Sequence, residues 1–395
     1  MNSETIRPTT ITQTATESVT LGRPAGETLA ELARSRDAKR VFILASSTLS
    51  RETDEVTRIA DALGGRHVMT WEGIRPHVPR LDVIAATEAA RSGAADLIVT
   101  VGGGSVTDAG KAVAFCLQNG IADASQFDDY RIRVSGDGAW QKSDFADPDV
   151  RVICVPTTLS GGEFSPLTGV TDERVGQKHG YMQRSLAPVH VVLDPAITVH
   201  TPEWLWMSTG IRSVDHATET LASLQSNDFC DGMAESALRR LSEGLSRVKS
   251  DPGDMAARLM CQIGAWQSKI PSISGVPMGA SHAIGHVLGG TFGVPHGYTS
   301  CVMAPYVQAW NAKVVARRQA RISASLGAAS APAAVLLDEL IRKLGMPRTL
   351  REVGVGREHF QRIAEYTLED MWGKTNPREL RSTDDVIEIL EAALG

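Results

Sequence analysis

Four histidines and an arginine stand where they could act together. In the stretch GVPMGASHAIGHVLGGTFGVPHGY, Gly275 to Tyr298, His282, His286 and His296 lie in a segment that is otherwise uncharged. His282 and His286 are four residues apart, so a helix would present both from one face. Gly289 and Gly290 are expected to end that helix, and Pro295 fixes the backbone just before His296. Upstream, TGIRSVDHATETLASL offers Arg212 and His216 at the same spacing. Imidazole can serve near neutral pH as base, acid or metal ligand. Five such groups drawn from two segments point to a reaction site, where one isolated histidine would not.

The elements that must hold them come in two kinds. KRVFILAS (39–46), HVMTWEG, DLIVTVGGGS (96–105), RVICVPTT (151–158) and VHVVLDP (189–195) read as buried strands. RETDEVTRIADALGG (51–65), LDVIAATEAARSGA and VTDAGKAVAFCLQNG read as the helices between them. Such alternation predicts a parallel sheet covered on both faces. Residues 9–21, rich in threonine, suit an edge strand or hairpin. After Pro195 only helical spacing recurs, so the expected division is an α/β domain over 1–198 and an all-helical domain over 199–395. Between 127 and 149 lies a polar insertion without a period, read as a surface excursion that could reach over the cleft.

Composition narrows the function. At 395 residues the chain calls for two cores, and 42% apolar with 22% charged residues is ordinary for a globular protein. A net charge of -6 without a basic run argues against nucleic acid and membrane surfaces as partners. No signal-peptide pattern opens the chain, and five scattered cysteines without a CxxC pair suit reduced thiols, so a cytoplasmic location is expected.

Two loops follow strands at the sheet's expected C-terminal edge, where open α/β sheets bind ligands. GGGS, Gly102, Gly103, Gly104 and Ser105, fits either a tight turn or a phosphate cradle at a helix start. It is not GxGxxG. PTTLSGGEFSP, Pro156–Pro166, could hydrogen-bond a ribose or amide through Thr157 and Thr158, or simply cap a turn.

Taken in order, GGGSVTDAGKA, PTTLSGGEFSP, GIRSVDHATETL and the His282, His286, His296 spacing resemble the iron-containing (group III) alcohol dehydrogenases, from about residue 20 to 390. The resemblance implies a dehydroquinate synthase-like architecture, a dinucleotide-binding α/β domain followed by a helical one, with NAD or NADP between them. It implies Gly102, Gly103, Gly104 and Ser105 at the pyrophosphate with Asp108 nearby, and Thr157, Thr158 and Lys178 around the ribose and nicotinamide. Ser46 ends the first strand where many members carry an aspartate, so NADPH should be tolerated. It also implies a metal held by an aspartate and three histidines. His216, His282 and His296 match the histidines, and His286 matches one placed beside the nicotinamide. The aspartate position is Arg212, whose guanidinium stays protonated and would repel a divalent ion. Asp215 points about 100° away around the helix and does not replace it. This departure, with a short run from Thr158 to Glu163, resembles the metal-independent maleylacetate reductases. The insertion and the choice of arginine do not.

The expected activity is an NAD(P)H-dependent reduction of an aldehyde or keto acid, maleylacetate-like, with Arg212 and a histidine in place of the metal. The alternative is a metal-dependent alcohol dehydrogenase that uses His216, His282 and His296, with Arg212 turned outward. A homodimer paired through the N-terminal strand is also permitted.

Overall fold

The computed structural model describes residues 10–134 and 140–395. Its first half alternates as the periodicity requires: β1 (Ser18–Leu21), α1 (Ala25–Ser35), β2 (Val41–Ala45), α2 (Ser47–Glu52), α3 (Glu55–Leu63), β3 (His67–Trp71), α4 (Arg80–Ser92), β4 (Leu97–Gly102), α5 (Gly104–Asn119), β5 (Arg133–Val134), β6 (Trp140–Gln141), β7 (Arg151–Pro156), β8 (Leu167–Asp172), β9 (Gln177–Met182) and β10 (His190–Leu193). Six strands form one sheet in the order β1-β10-β7-β4-β2-β3, every pair parallel. The central strands are buried on both faces, which is why VFILA and LIVTVG are continuous apolar runs.

The sheet's edge is fastened by a histidine that serves structure. His190 of β10 is buried, and its two ring nitrogens meet the hydroxyls of Ser18, 2.6 Å away, and Thr20, 2.8 Å away, on β1. The N-terminal segment is thus a parallel edge strand, not a hairpin.

Three expectations need correction. The single helix over 51–65 is two, because Thr53 takes an extended conformation between α2 and α3. The antiparallel hairpin β8–β9 went unread, since its residues QKHGYM show no apolar alternation. The insertion is knitted to the domain rather than loose. Phe127, Tyr130 and Phe145 surround Phe115 of α5, and the Ile132 N–H donates to the Gly180 carbonyl. Its middle, residues 135–139, falls outside the described residues.

Helix α5 lies close on the sheet because Gly110 has no side chain. A Cβ there would stand 2.2 Å from Cγ2 of Thr100 on β4. Threonine is branched and stiff, so the strain cannot relax at little cost. Gly110→Ala is expected to lower stability by about 1–3 kcal/mol, read as a lower denaturant midpoint with unchanged slope.

The second half is helical: α6 (Glu203–Ala222), α7 (Asp228–Ser250), α8 (Met255–Ile273), α9 (Ala280–Phe292), α10 (His296–Ser325), α11 (Ala333–Lys343), α12 (Phe360–Glu369) and α13 (Thr383–Ala393). Almost all of α6 is buried, from Trp206 to Ala222, so its polar residues face protein on every side. Among the described residues no helix is long and apolar enough to cross a membrane.

Candidate active site

The cofactor-type loops meet at the C-terminal edge of the sheet. Gly102 ends β4 with φ +157, and a Cβ there would stand 2.9 Å from Val106 and 3.3 Å from Ser46. A Cβ on Gly103 would stand 3.1 Å from Cγ2 of Thr158, and one on Gly104 3.2 Å from Oγ of Ser160. The turn after β4, the end of β2 and the loop after β7 therefore touch only because these positions are glycine. Gly104 and Ser105 open α5, whose first N–H groups have no intrahelical acceptor and favour an anion. The Thr157 N–H donates to the Gly102 carbonyl, and Thr201 donates to the Thr157 carbonyl, so that loop is fixed from both sides.

Lys178 is held across the gap in β8 left by Gly169, and its ammonium donates to Asp108 at 3.2 Å. Asp108 also pairs with buried Lys111 at 3.0 Å. Burial alone would raise the Asp108 carboxyl, but the two ammonium groups outweigh it and hold it below its ordinary range. Ser46 caps the start of α2, and Arg51 behind it pairs with Glu72 at 3.4 Å.

The histidines come from three helices, α6, α9 and α10, and form two stacked pairs. The rings of His216 and His282 are 4.7 Å apart, and those of His286 and His296 are 6.4 Å apart with planes 9° from parallel. Helix α9 runs through Gly289 and Gly290 and stops at Gly293, in the left-handed region at φ +69. Gly289 has another use: a Cβ there would lie 3.2 Å from Nδ1 of His296, whereas one on Gly290 would meet open space. Glycine here makes room rather than ending the helix.

Arg212 points inward. It is 7% exposed, and its Nη1 has only marginal contacts, 3.5 Å to Oγ1 of Thr299 and 3.4 Å to Oγ of Ser300. Among the described residues it forms no ion pair with a carboxylate, and Thr299 stands between it and Gly285 of α9 as the nearer neighbour of that glycine. The outward-turned arginine required by the metal-dependent alternative is thus not what this chain adopts. Burial and the guanidinium together hold His216, His282 and His296 well below the ordinary imidazole pKa; at His216 Lys269 contributes more than Arg212, and at His296 the guanidinium is the larger influence.

Carboxylates stand behind the imidazoles. Nδ1 of His282 lies 2.8 Å from Oε2 of Glu219. The same carboxylate accepts the Gly279 N–H at 2.9 Å and the Ser281 N–H at 2.8 Å, which caps α9. With Nδ1 donating backwards, Nε2 of His282 is the lone-pair side, and it is buried without a partner. Nδ1 of His216 is likewise buried and unpartnered. Asp215 accepts from Ser281 Oγ at 2.7 Å, on the far side of His282. Burial lifts Glu219 to about 7 and Asp215 to about 6. His286 and His296 are the open pair: the His286 side chain is 36% exposed, with its Nδ1 2.9 Å from Oδ2 of Asp370, and His296 is exposed as well. Trp372 leans over it with ring centres 4.6 Å apart and meets His282 edge-on.

Asp215, Glu219 and His282 offer ligand atoms close enough together to hold an ion. Their geometry is that of a finished hydrogen-bond network, however. Both Glu219 oxygens and one of Asp215 are already engaged, and the shared space lies on the Nδ1 side of His282.

Sequence reasoning missed Glu219, Lys269, Glu163, Asp370 and Trp372. Only Glu219 left a trace, three residues after His216 on the same helix. Lys269 of α8 is half-buried and Glu163 of the loop after β7 is buried: desolvation and Arg212 draw the Lys269 ammonium down to about 8, and burial raises Glu163 to about 7.

Comparison with known proteins gives a consistent picture. Residues 16–195 match the model of the iron-containing alcohol dehydrogenases, and 206–394 match that of the C-terminal part of the Fe-containing alcohol dehydrogenase family. The chain is 32% identical to dehydrogenase ALT3 of Alternaria alternata, over 90% of this chain and 98% of that protein. It is 30% identical to a maleylacetate reductase of Burkholderia cepacia over 92% of each. Among solved structures it is similar to the maleylacetate reductases of Agrobacterium tumefaciens (TM-score 0.82, 25% identity, 98% and 99% covered) and of Rhizobium sp. (TM-score 0.81, 27% identity, 98% and 99% covered).

Proposed function

The chain belongs to the iron-containing alcohol dehydrogenase family, with the motif pattern of its maleylacetate reductase branch, and from that premise we propose that it reduces a polar carbonyl compound with NADH or NADPH and without a metal ion. One observation carries this reading: a buried guanidinium at the aspartate position, facing inward among four imidazoles. A permanent positive charge there disfavours a divalent ion and favours a developing oxyanion.

The residues at the sheet edge fit a dinucleotide. The open N–H groups of Gly104 and Ser105 would meet the pyrophosphate, with Asp108 beside them, and Thr157, Thr158 and Lys178 would lie along the ribose and nicotinamide. Ser46 brings no carboxylate to the end of β2, so a 2′-phosphate meets no repulsion there. When bound, the nicotinamide supplies the hydride. Arg212 then donates its N–H groups to the carbonyl oxygen as negative charge grows on it. His286 delivers the proton, since its ring is part-exposed and its Nδ1 pairs with Asp370, whose other oxygen accepts the Trp372 N–H. His216 and His282 keep water and substrate oriented through their free ring nitrogens.

The same two free nitrogens favour a second reading, a metal held by His216, His282 and His296. Metal analysis of the purified protein, beside NADH and NADPH consumption with aldehydes and keto acids, separates the two. The expected result is turnover unaffected by EDTA in protein without stoichiometric metal. Activity that disappears with EDTA and returns with iron or zinc overturns the metal-free reading.

A further inference from the structure

The end of β2 carries no carboxylate of its own, yet one stands beside it on the neighbouring strand. β2 and β3 run parallel with Leu44 opposite Trp71, so Glu72, the next residue, leaves β3 level with Ala45. One turn into α2, the Ser50 N–H donates to the Ser46 carbonyl, and the Ser50 hydroxyl donates to Oε1 of Glu72 at 2.5 Å. From the same helix, Nε of Arg51 lies 3.4 Å from Oε2 of Glu72. The carboxylate is thus held at both oxygens. Ser46 in turn adjoins the glycine loop: its N–H donates to the Val101 carbonyl, and its Cβ would lie 3.3 Å from one on Gly102. A continuous run of contacts therefore joins the turn after β4 to Ser46, Ser50 and Glu72.

Open parallel sheets bind ligands outside the carboxyl ends of their strands, where the strand order reverses. Here that point lies between β2 and β4, since the chain goes outward from β2 to β3 and then crosses to β4 on the other side. With a pyrophosphate at the start of α5, the adenosine ribose would fall toward the ends of β2 and β3. In dinucleotide-binding sheets a carboxylate beside that ribose accepts its hydroxyls, and an arginine there accommodates a 2′-phosphate. This chain has one of each, so the outcome depends on which is free. Arg51 is the more exposed of the two, at 73% against 32%, but its charge is already met by Glu72. The Ser50 hydroxyl, which could also donate to a phosphate, is spent on the same carboxylate. What remains toward a ligand is the acceptor side of Glu72, which favours hydroxyls and disfavours a second anion.

We propose that Glu72 selects the cofactor: held by Ser50 and Arg51, it accepts from the adenosine ribose and excludes a 2′-phosphate, so that NADH is taken in preference to NADPH. Ser46 leaves the end of β2 open to either cofactor, and the choice passes to the next strand. This rests on the reductase reading above and names its reductant. Glu72 is then a specificity-determining residue, and Arg51 is the group it keeps from the phosphate.

The test measures binding to the full chain without a carbonyl substrate, from the fluorescence of the reduced nicotinamide at fixed ionic strength. NADH is expected to bind about tenfold or more tightly than NADPH. Glu72→Gln keeps an acceptor for Ser50 but releases Arg51, and should bring the two affinities within about threefold, chiefly by strengthening NADPH. Adding Arg51→Met to that variant should remove the gain. Equal affinities in the native chain, tighter NADPH, or a ratio unchanged in Glu72→Gln would overturn the proposal. Should Glu72→Gln fail to fold by circular dichroism, competition against NADH on the native chain decides. There 5′-AMP is expected to displace NADH better than adenosine 2′,5′-bisphosphate, and the reverse order sinks the selection. A chain that binds neither dinucleotide overturns the reductase reading and this proposal with it. A clear preference for NADH in a chain that reduces no carbonyl compound keeps the selection and removes the reductase.

Discussion

Replacing Arg212 with alanine is expected to lower kcat/KM by about a hundred- to a thousandfold, the usual loss when a preorganised donor to a developing oxyanion is removed. The guanidinium is buried, forms no ion pair among the described residues, and reaches two hydroxyls at 3.4 and 3.5 Å, so its N–H groups are available to a bound oxygen. Arg212→Lys keeps the charge but not the fork, and should recover only part of the loss. Steady-state kinetics on both variants measure this, with EDTA leaving the native rate unchanged. Arg212→Asp is the informative companion. It restores the carboxylate that metal-binding relatives place beside three histidines and removes the charge that holds His216, His282 and His296 neutral. That variant should acquire zinc, detectable by elemental analysis, and should become sensitive to chelators. If Arg212→Ala turns over like the native enzyme, the arginine is not the group that steadies the oxygen.

The second large effect concerns folding. Glu219 accepts from three donors at once, the Gly279 and Ser281 N–H groups and Nδ1 of His282. Glu219→Leu leaves all three buried and unsatisfied, and about 3 kcal/mol or more of stability should be lost, seen as a lower midpoint in urea. Glu219→Gln is milder, because it cannot accept from His282 while its amide donates. The imidazole should then switch tautomer and turn an N–H toward the cleft, a change visible in its nitrogen chemical shifts. The sign with pH follows from the raised carboxyl. Folded Glu219 titrates near 7, above an unfolded glutamate, so its contribution is fullest below the ordinary carboxylate range and declines as pH rises through about 7. Glutamine has no such decline. The native chain's advantage over Glu219→Gln should therefore shrink between pH 5 and 8.

The sheet, the glycine loop and the histidines were legible in the sequence because each depends on a local rule. Continuous apolar runs such as VFILA specify buried parallel strands, and a four-residue spacing puts Arg212 with His216 and His282 with His286. Gly289 was misread because glycine has two uses, relief of backbone strain and absence of bulk, and only the neighbour tells them apart. Here the neighbour is His296. The β8–β9 hairpin was hidden because only Tyr181 of β9 is buried, so no alternation marks QKHGYM. Asp370 and Trp372 were out of reach for a different reason. Their partner, His286, is 84 residues away from Asp370, and only the packing of α12 against α9 brings them together. Lys269 carries no signal in SKIPSI, because only the fold lays its stem against Gly161 of the loop after β7.

That long reach of Asp370 and Trp372 has a consequence for how the protein comes to life on the ribosome. The glycine loop and the strands that aim it are synthesised in the first half of the chain, and can take shape while the rest is still being made. His286, the imidazole proposed to deliver the proton, cannot acquire its carboxylate and its indole cover until residue 372 has emerged. A nascent or prematurely halted polypeptide could therefore capture dinucleotide while remaining catalytically idle, and competence would arrive in one late step near the end of translation.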